Sequence, residues 1–190
     1  MTYKAIDIGC GTKSWIKEYI HVYIPEWDGE EVEVVNLDGD EKIKPDILHN
    51  LMEPMPPELK GQFDLVYSAH VLEHISWLDT VSVAMEMASL VKEGGYMIIA
   101  VPSMEWACKE LLRGNFNKGV MMTFYGGQED EWLYHKSGFS KPSLEVLAQR
   151  LGMKVLSLRE SSVILTDRDR QWNATQHELF MRKEKENGSL

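Results

Sequence analysis

The sequence predicts a single α/β domain over residues 1–190, with a doubly wound, mostly parallel seven-stranded sheet and an antiparallel C-terminal hairpin. Short apolar segments alternate with segments of helical periodicity, which is typical of a parallel sheet with helices on both faces. The last two strand-like segments have no helical segment between them, so we expect them to pair antiparallel. A chain of 190 residues can form one domain with a hydrophobic core and is short for two.

Seven segments have the composition of strands. They are residues 3–10, 32–38, 45–50, 63–70, 96–102, 154–159 and 178–182. The fifth is the most apolar, so we expect it near the middle of the sheet. We interpret the polar stretch 166–176 as the connection between the last two strands, and residues 184–190 as a polar tail.

Helical periodicity is present in four segments, which are residues 13–24, 77–91, 105–113 and 143–151. Pro25 ends the first, and the glycines of residues 92–95 are expected to cap the second. Residues 114–140, here called the lid segment, interrupt the pattern with five glycines and six aromatic residues. A long irregular segment of this kind inside a domain is more often a lid or a binding loop than a linker.

Composition excludes several classes of protein. The formal net charge is −10 and the basic residues are scattered, which argues against a nucleic-acid partner. Cys10 and Cys108 are far apart, so we expect neither a disulfide framework nor a metal site. No apolar run approaches the ~20 residues of a membrane span. Because the N-terminal sequence also lacks the pattern of a signal peptide, we expect a cytoplasmic protein.

The strongest motif is Asp7-Ile8-Gly9-Cys10-Gly11 at the end of the first predicted strand. Glycines there let the backbone turn tightly and approach a ligand, and Cys10 is a small residue between them. A phosphate-binding loop would need Gly-Lys-Ser/Thr in succession, and a dinucleotide fingerprint would need a glycine in place of Ser14. Asp7 lies in an apolar segment, so it requires a cationic or hydrogen-bonding partner.

Three other strand ends carry polar motifs: Asp38-Gly39-Asp40, His49-Asn50-Leu51, and Ser68-Ala69-His70 with the following Val71-Leu72-Glu73-His74. A carboxylate after the second strand can accept two hydrogen bonds from a ribose diol. Asp38 is the first candidate and Asp40 the second, although the same residues could form a plain turn. We interpret Glu73 and His74 as structural residues that cap and orient the next helix.

In this order, the motifs resemble those of class I S-adenosylmethionine-dependent methyltransferases, the seven-stranded Rossmann-like superfamily, in particular its small-molecule and lipid-type members. The resemblance covers residues 5–103 and the two closing strands. The resemblance implies that S-adenosylmethionine is the cofactor. It also implies that the methionine half of the cofactor and its nucleoside half contact two different groups of residues. The methionine side would be lined by Asp7, Gly9, Cys10, Gly11, Ser68 and His70, and the nucleoside side by Asp38, Gly39, Asn50 and Leu51.

The resemblance leaves the acceptor open. Enzymes that methylate base amino groups carry Asp/Asn-Pro-Pro-Tyr/Phe where this chain has Ser68-Ala69-His70-Val71, and no Pro-Cys nucleophile is present. We therefore favour a small-molecule, sugar or lipid-linked acceptor. A protein or nucleic-acid acceptor is the first alternative, and a non-catalytic cofactor-binding protein is the second.

Transfer to a hydroxyl or an amine needs alignment of the acceptor and removal of a proton. His135, in the lid segment, is the first candidate for the general base, because an unperturbed imidazole titrates near pH ~6.5. The alternative is that His135 only orders the lid. His70 is the competing base, nearer to the expected methyl position. The lid segment closes the site alone or, in a homodimer, with help from a second subunit.

Overall fold

Seven strands and five α-helices alternate along the residues that the computed structural model describes, which are 2–12, 14, 16–167 and 170–185. The strands are β1 (Thr2–Ile8), β2 (Glu31–Asp38), β3 (Ile47–Leu48), β4 (Phe63–Ala69), β5 (Val91–Pro102), β6 (Lys154–Asp167) and β7 (Arg170–Arg182). The helices are α1 (Ile16–Tyr23), α2 (Thr80–Ser89), α3 (Met104–Leu112), α4 (Lys118–Tyr125) and α5 (Lys141–Arg150). No helix within the described residues is long and apolar enough to span a membrane.

The sheet has the strand order β3-β2-β1-β4-β5-β7-β6, which confirms the predicted fold class. Strands β1 to β5 are parallel, and β7 pairs antiparallel with β5 on one side and β6 on the other. The chain order reverses between β1 and β4, because β2 and β3 extend the sheet on one side and β4 on the other. In open α/β sheets, the crevice beyond the carboxyl ends of such neighbouring strands is where ligands bind.

Apolar side chains on the two faces of the sheet form two core clusters. In β5, Met97 and Ile99 belong to the cluster beneath α2 and α5, whereas Ile98, which lies between them in the chain, belongs to the cluster beneath α1. All three side chains are at most 1% exposed, as expected for a strand covered by helices on both faces. This central position of β5 agrees with the sequence prediction.

Two boundaries differ from the sequence prediction near Gly94 and Gly95. Helix α2 begins at Thr80 and ends at Ser89, and β5 begins at Val91, so the two glycines lie within a strand and do not cap a helix. The Gly94 amide donates to the Lys183 carbonyl at 3.0 Å, and the Lys183 amide donates to the Gly95 carbonyl at 2.9 Å. These bonds tie both glycines to the chain after β7, with Gly94 at a φ of 80°, where the pairing of β4 with β5 shifts its register.

The C-terminal hairpin is much longer than predicted. Pairing of β6 with β7 continues to Asp167 and Arg170, while pairing of β5 with β7 stops at Pro102 and Gln176. Residues 162–167 and 170–175, here called the hairpin arm, therefore extend beyond the sheet as two strands, and most of the stretch 166–176 is not a loop. The arm packs against α4, where the Lys118 ammonium lies 5.1 Å from the centre of the Trp172 ring.

The lid segment is more regular than predicted, because it contains α4 and a short 3₁₀ turn at Glu131–Leu133. The side chain of Asn117 caps α4 by accepting a hydrogen bond from the Val120 amide at 3.1 Å. Gly126 follows the helix with a φ of 76°. Its place is close-packed, since a Cβ there would lie 1.8 Å from the Leu133 carbonyl oxygen.

Replacing Gly126 by alanine is expected to lower the free energy of unfolding more than replacing Gly114 by alanine. Both residues have positive φ angles, 76° and 83°, so both variants carry backbone strain, and Gly126 also has a ψ of −169°, in a region essentially restricted to glycine. Only the Gly126 variant adds a collision, because a Cβ on Gly114 has no heavy atom within 4 Å. Urea unfolding measures the difference, and equal losses would contradict the close packing of Gly126 against Leu133.

Candidate active site

The loop after β1 is bonded to the end of β2. The amides of Gly9 and Cys10 donate to the Leu37 carbonyl at 2.8 and 3.3 Å. The Asp38 carboxylate accepts from the Gly11 amide through Oδ2 and from the Asp40 amide through Oδ1, both at 3.0 Å. The structure thus brings the glycine motif and the Asp38 motif together, as the sequence predicts for two parts of one site.

Gly9 allows this loop to approach the segment after β4. Its φ is 69°, and a Cβ on it would lie 2.3 Å from the Cγ2 atom of Val71. Residues Ile8 and Ser68 are register partners in the pairing of β1 with β4. The loops after these two neighbouring strands therefore face the same crevice at the reversal of strand order.

Asp7 is a buried acid next to this crevice. The residue is 3% exposed, and its Oδ2 accepts a hydrogen bond from the Ser14 hydroxyl at 2.5 Å. Burial raises the pKa of Asp7 to about 6; the Ser14 hydrogen bond opposes this and the charge of Asp38 adds to it. A buried carboxylate with a raised pKa is stabilised in its ionised form by a cationic ligand.

Asn50, Leu51, Gly39 and Ser68 complete the predicted set. Asn50 is exposed after β3, where its Oδ1 accepts from the Met52 amide at 3.0 Å, and Leu51 packs partly buried against the core. Gly39 lies beside the His49 carbonyl: a Cβ atom added to Gly39 would lie 3.6 Å from the His49 carbonyl oxygen. The Ser68 hydroxyl is buried, and it has no hydrogen-bond partner among the described residues.

His70 is held between two acceptors directly after β4. Its Nδ1 lies 3.1 Å from Oε1 of Glu73, and its Nε2 lies 2.8 Å from Oε1 of Gln176. A carboxylate oxygen and an amide oxygen both accept, so this arrangement stabilises the doubly protonated imidazolium. Burial lowers the pKa of His70, but the hydrogen bond and charge of Glu73 outweigh it, and the pKa is raised.

Glu73 is the acid at the centre of this cluster and is 1% exposed. Burial raises the pKa of Glu73, but the hydrogen bond with His70 and the charges of His70 and His74 outweigh this, and the pKa is lowered. The Glu73 carbonyl also accepts from the amides of Lys136 and Ser137 at 2.7 and 3.1 Å, so it anchors the end of the lid segment.

His135 and His74 are oriented by backbone carbonyls. Nδ1 of His135 lies 2.9 Å from the Thr123 carbonyl oxygen, and Nδ1 of His74 lies 3.1 Å from that of Tyr134. A carbonyl can only accept, so Nδ1 carries the proton in each ring and the Nε2 lone pair is available. Burial lowers the pKa of His135, which favours the neutral ring.

These side chains line one cavity of about 320 Å³, here called the histidine cavity. Its floor consists of His70, Glu73, His74 and His135. Its walls are formed by α4 and the residues after it, by the hairpin arm and by the end of β5; they include Met122, Thr123, Leu133, Val163, Ala174 and Pro102. The lid segment and the hairpin arm thus enclose the cavity from two sides.

Both predicted histidines lie in this cavity, although they are 65 residues apart in the chain. Sequence reasoning missed two of its components. The central role of Glu73 was indicated only by an acid between apolar residues in the segment 71–75, and this pattern was interpreted as a helix cap. The hairpin arm was missed because its polar residues resemble a loop.

The profile of a protein family described as "Methyltransferase domain" matches residues 3–158 of the chain. A curated relative, the ubiquinone biosynthesis O-methyltransferase of Marinobacter nauticus, is 31% identical over 104 residues. That alignment covers 51% of this chain and 43% of the relative. The chain thus matches less than half of the length of this relative.

Solved structures share the fold. A SAM-dependent methyltransferase from Methanosarcina mazei superimposes with a TM-score of 0.67 at 14% identity, covering 97% of this chain and 94% of that one. The 1,6-didemethyltoxoflavin-N1-methyltransferase of Burkholderia thailandensis, solved with 1,6-didemethyltoxoflavin and S-adenosylhomocysteine, gives 0.57 at 11% identity, with coverages of 97% and 72%. At such identities the similarity establishes the architecture of the sheet and its helices.

Proposed function

We propose that this chain, a class I S-adenosylmethionine-dependent methyltransferase, methylates a small-molecule, sugar or lipid-linked acceptor in the histidine cavity. The chain belongs to the methyltransferase-domain family, whose profile matches residues 3–158. The observation that carries this proposal is the position of His70. It follows β4 at the crevice beside the glycine loop, and it also lines the cavity. The crevice and the cavity are therefore neighbouring parts of one site.

The crevice fits the cofactor by its chemistry. Asp7 is a buried carboxylate that lacks a cationic partner among the described residues and would bind the ammonium group of the methionine half. The Ser68 hydroxyl, at the end of β4, is buried and has no hydrogen-bond partner in the part of the chain that the structure describes. Gly9, Cys10 and Gly11 form the adjacent wall. The cofactor supplies an electrophilic methyl group on a sulfonium, so the protein needs to align the acceptor and exclude water.

The nucleoside half would lie over the loops after β2 and β3. Asp38 accepts one amide hydrogen bond on each carboxylate oxygen, and each oxygen retains a lone pair for a ribose hydroxyl. Gly39 has no side chain that would project from this surface beside the His49 carbonyl. Asn50 and Leu51 follow on β3, where an amide side chain and a backbone amide are suited to the adenine ring.

The two histidines would have different roles. His135 is the better candidate for the base, because its Nδ1–H is donated to Thr123 and its Nε2 keeps a lone pair. His70 is held as an imidazolium by Glu73 and Gln176, so it is suited to orienting the acceptor or the cofactor. The lid segment and the hairpin arm of the same chain enclose the cavity, which supports closure by one subunit.

A small acceptor is supported by the size of the cavity and by the relatives. The cavity of about 320 Å³ combines apolar wall residues such as Met122, Leu133 and Val163 with a floor of titratable side chains, and its volume is in the range of small-molecule pockets. The curated relative is named for O-methylation in ubiquinone biosynthesis, and the Burkholderia enzyme for N-methylation of a small heterocycle. We therefore propose a hydroxyl or an amine on a small, largely apolar molecule.

The proposal is tested by measuring S-adenosylhomocysteine formation with panels of phenols, hydroxylated heterocycles, amines, sugars and lipid-linked intermediates. Turnover with at least one small acceptor is expected, together with calorimetric binding of S-adenosylmethionine. Turnover with peptides or oligonucleotides alone would instead assign a macromolecular acceptor. Binding of NAD with no affinity for S-adenosylmethionine would refute the cofactor assignment.

Replacing Asp38 by alanine is expected to weaken the binding of S-adenosylmethionine and S-adenosylhomocysteine about tenfold or more, since hydrogen bonds to a charged group contribute ~1.5–3 kcal/mol. Asp40→Ala is the control, because its carboxylate caps the neighbouring turn by accepting from Lys42. Calorimetry on both variants separates the roles. Unchanged affinity for Asp38→Ala would remove this residue from ribose binding, and a loss confined to Asp40→Ala would transfer the role.

A further inference from the structure

We propose that Glu73, His74 and His135 bind a divalent transition-metal ion on the floor of the histidine cavity, a proposal that rests on the proposed function for the acceptor's position. One ligand atom of each residue lies within 4.8 Å of those of the other two, so small side-chain rotations bring all three within reach of a single ion. Two imidazoles and one carboxylate are a common ligand set of catalytic zinc sites, in which further coordination positions stay open for water or substrate. The composition-based expectation of no metal site considered only the two cysteines.

The second observation is an unpaired carboxylate oxygen. Glu73 is 1% exposed, its Oε1 is bonded to His70, and its Oε2 is buried with no hydrogen-bond partner among the described residues. A buried carboxylate oxygen that loses water without gaining a donor costs free energy. A cation at Oε2 would remove this cost without disturbing the bond to His70.

The hydrogen bonds of both histidines leave one ring nitrogen free to bind a metal. In both His74 and His135, Nδ1–H is donated to a backbone carbonyl, and the Nε2 lone pair remains. Metal-binding histidines usually donate the second ring nitrogen to a carboxylate or a carbonyl, which fixes both the tautomer and the ring plane. The two rings are close, with centroids 5.0 Å apart and planes at 73°.

The ion would bind and activate a hydroxyl group of the acceptor. The cavity provides space above the three ligands for a hydroxyl oxygen of the acceptor, and coordination to a divalent ion lowers the pKa of a bound hydroxyl. The hydroxyl then releases its proton to water, and its oxygen forms the new C–O bond as the carbon–sulfur bond of the cofactor breaks. With the ion bound, the Nε2 lone pair of His135 is used in coordination, so His135 acts as a ligand and not as the base.

The experiment uses the purified chain, freed of metal with a chelator and then titrated with Co²⁺, whose visible absorption reports coordination by nitrogen and oxygen. One equivalent is expected to bind, and Zn²⁺ should displace it in calorimetry. His74→Asn and His135→Asn are the test variants, because the asparagine amide can keep the bond to the backbone carbonyl while the Nε2 ligand is removed. We expect each to weaken Co²⁺ binding at least about tenfold.

Two control variants should bind Co²⁺ like the wild type. His49→Asn removes an imidazole outside the cavity, and Glu105→Gln removes a ligand from the other described cluster that could hold a metal, Glu105, Glu160 and His177. Absence of binding to the wild type would overturn the proposal, as would binding that survives in both test variants. Binding lost only in Glu105→Gln would place the ion at the other cluster and also overturn it.

The outcome is distinguishable from failure of the proposed function. Removal of metal is expected to reduce formation of S-adenosylhomocysteine about tenfold or more and to leave S-adenosylmethionine affinity unchanged, and Zn²⁺ or Co²⁺ should restore the rate. Full turnover by metal-free protein would overturn the metal proposal and leave the methyltransferase function intact. Absence of turnover with every small acceptor, with Co²⁺ bound as expected, would count against the proposed acceptor class alone.

Discussion

Replacing His135 by asparagine is expected to reduce methyl transfer by about 10²–10⁴-fold, the range of assistance to proton removal, and to leave cofactor affinity unchanged. The variant loses Nε2, which assists proton removal as the base in metal-free protein and as a ligand of the ion where the proposed metal is bound. Asparagine at this position can still donate to the Thr123 carbonyl, so the lid segment keeps its anchor while Nε2 is lost. The loss should therefore appear in the turnover number. Single-turnover kinetics with the acceptor found by screening, and calorimetry with S-adenosylhomocysteine, measure the two quantities separately.

Two further variants make this result interpretable. His21→Asn, on the exposed side of α1, removes an imidazole far along the chain from the cavity residues and should have wild-type kinetics. His70→Asn should change both turnover and cofactor affinity, because His70 lies between the crevice and the cavity. Wild-type turnover for His135→Asn would show that His135 only orders the lid segment. Of the two predicted histidines, His70 would then be the one left to act on the acceptor, by orienting it as an imidazolium.

The sheet could be predicted from the sequence because its strands are buried on both faces. Segments such as Ile98–Ala100 of β5 are continuously apolar, and glycines or acids follow directly at the carboxyl ends of β1 and β2. The order of these segments, together with the absence of a helix before β7, was sufficient to predict a doubly wound, mostly parallel sheet of seven strands and its antiparallel hairpin, although not the strand order. The positions of the motifs assigned to the cofactor could be predicted for the same reason, since each lies at the end of a strand; their role in binding stays a prediction.

The histidine cavity could not be predicted because its contacts are long-range. Gln176 reaches His70 from a strand 106 residues further along the chain, and the Lys136 amide reaches the Glu73 carbonyl from the lid segment. The hairpin arm contributes Val163 and Ala174 to the apolar wall of the cavity, but its sequence is mostly polar from residue 166 onward and resembles a loop. Burial of Glu73 depends on all of these segments together, so no local pattern indicated it.

Replacing Asp7 by asparagine is expected to weaken S-adenosylmethionine binding roughly 30-fold or more, because loss of one partner of a buried charge pair costs about 2–5 kcal/mol. The wild-type affinity should also fall as the pH drops below about 6, where Asp7 becomes protonated. The variant has no carboxylate at this position and should show a flatter profile. Calorimetry between pH 5 and 8 measures both effects, and parallel pH profiles for the two proteins would exclude Asp7 as the titrating group.

The same substitution is expected to stabilise the cofactor-free protein at neutral pH. The pKa of Asp7 is about 6 in the folded chain against an ordinary value of 3.8, so the folded state holds its proton to higher pH than the unfolded state. Stability therefore falls as the pH rises from about 4 to 6, and above that window the ionised carboxylate costs up to about 3 kcal/mol. Asp7→Asn should consequently unfold at a higher urea concentration than the wild type at pH 7.5, with the difference shrinking below pH 4.

Asp28→Asn, at an exposed position, controls for the change in net charge. A less stable Asp7→Asn protein at pH 7.5 would mean that the Ser14 hydrogen bond outweighs desolvation and that Asp7 is a structural residue.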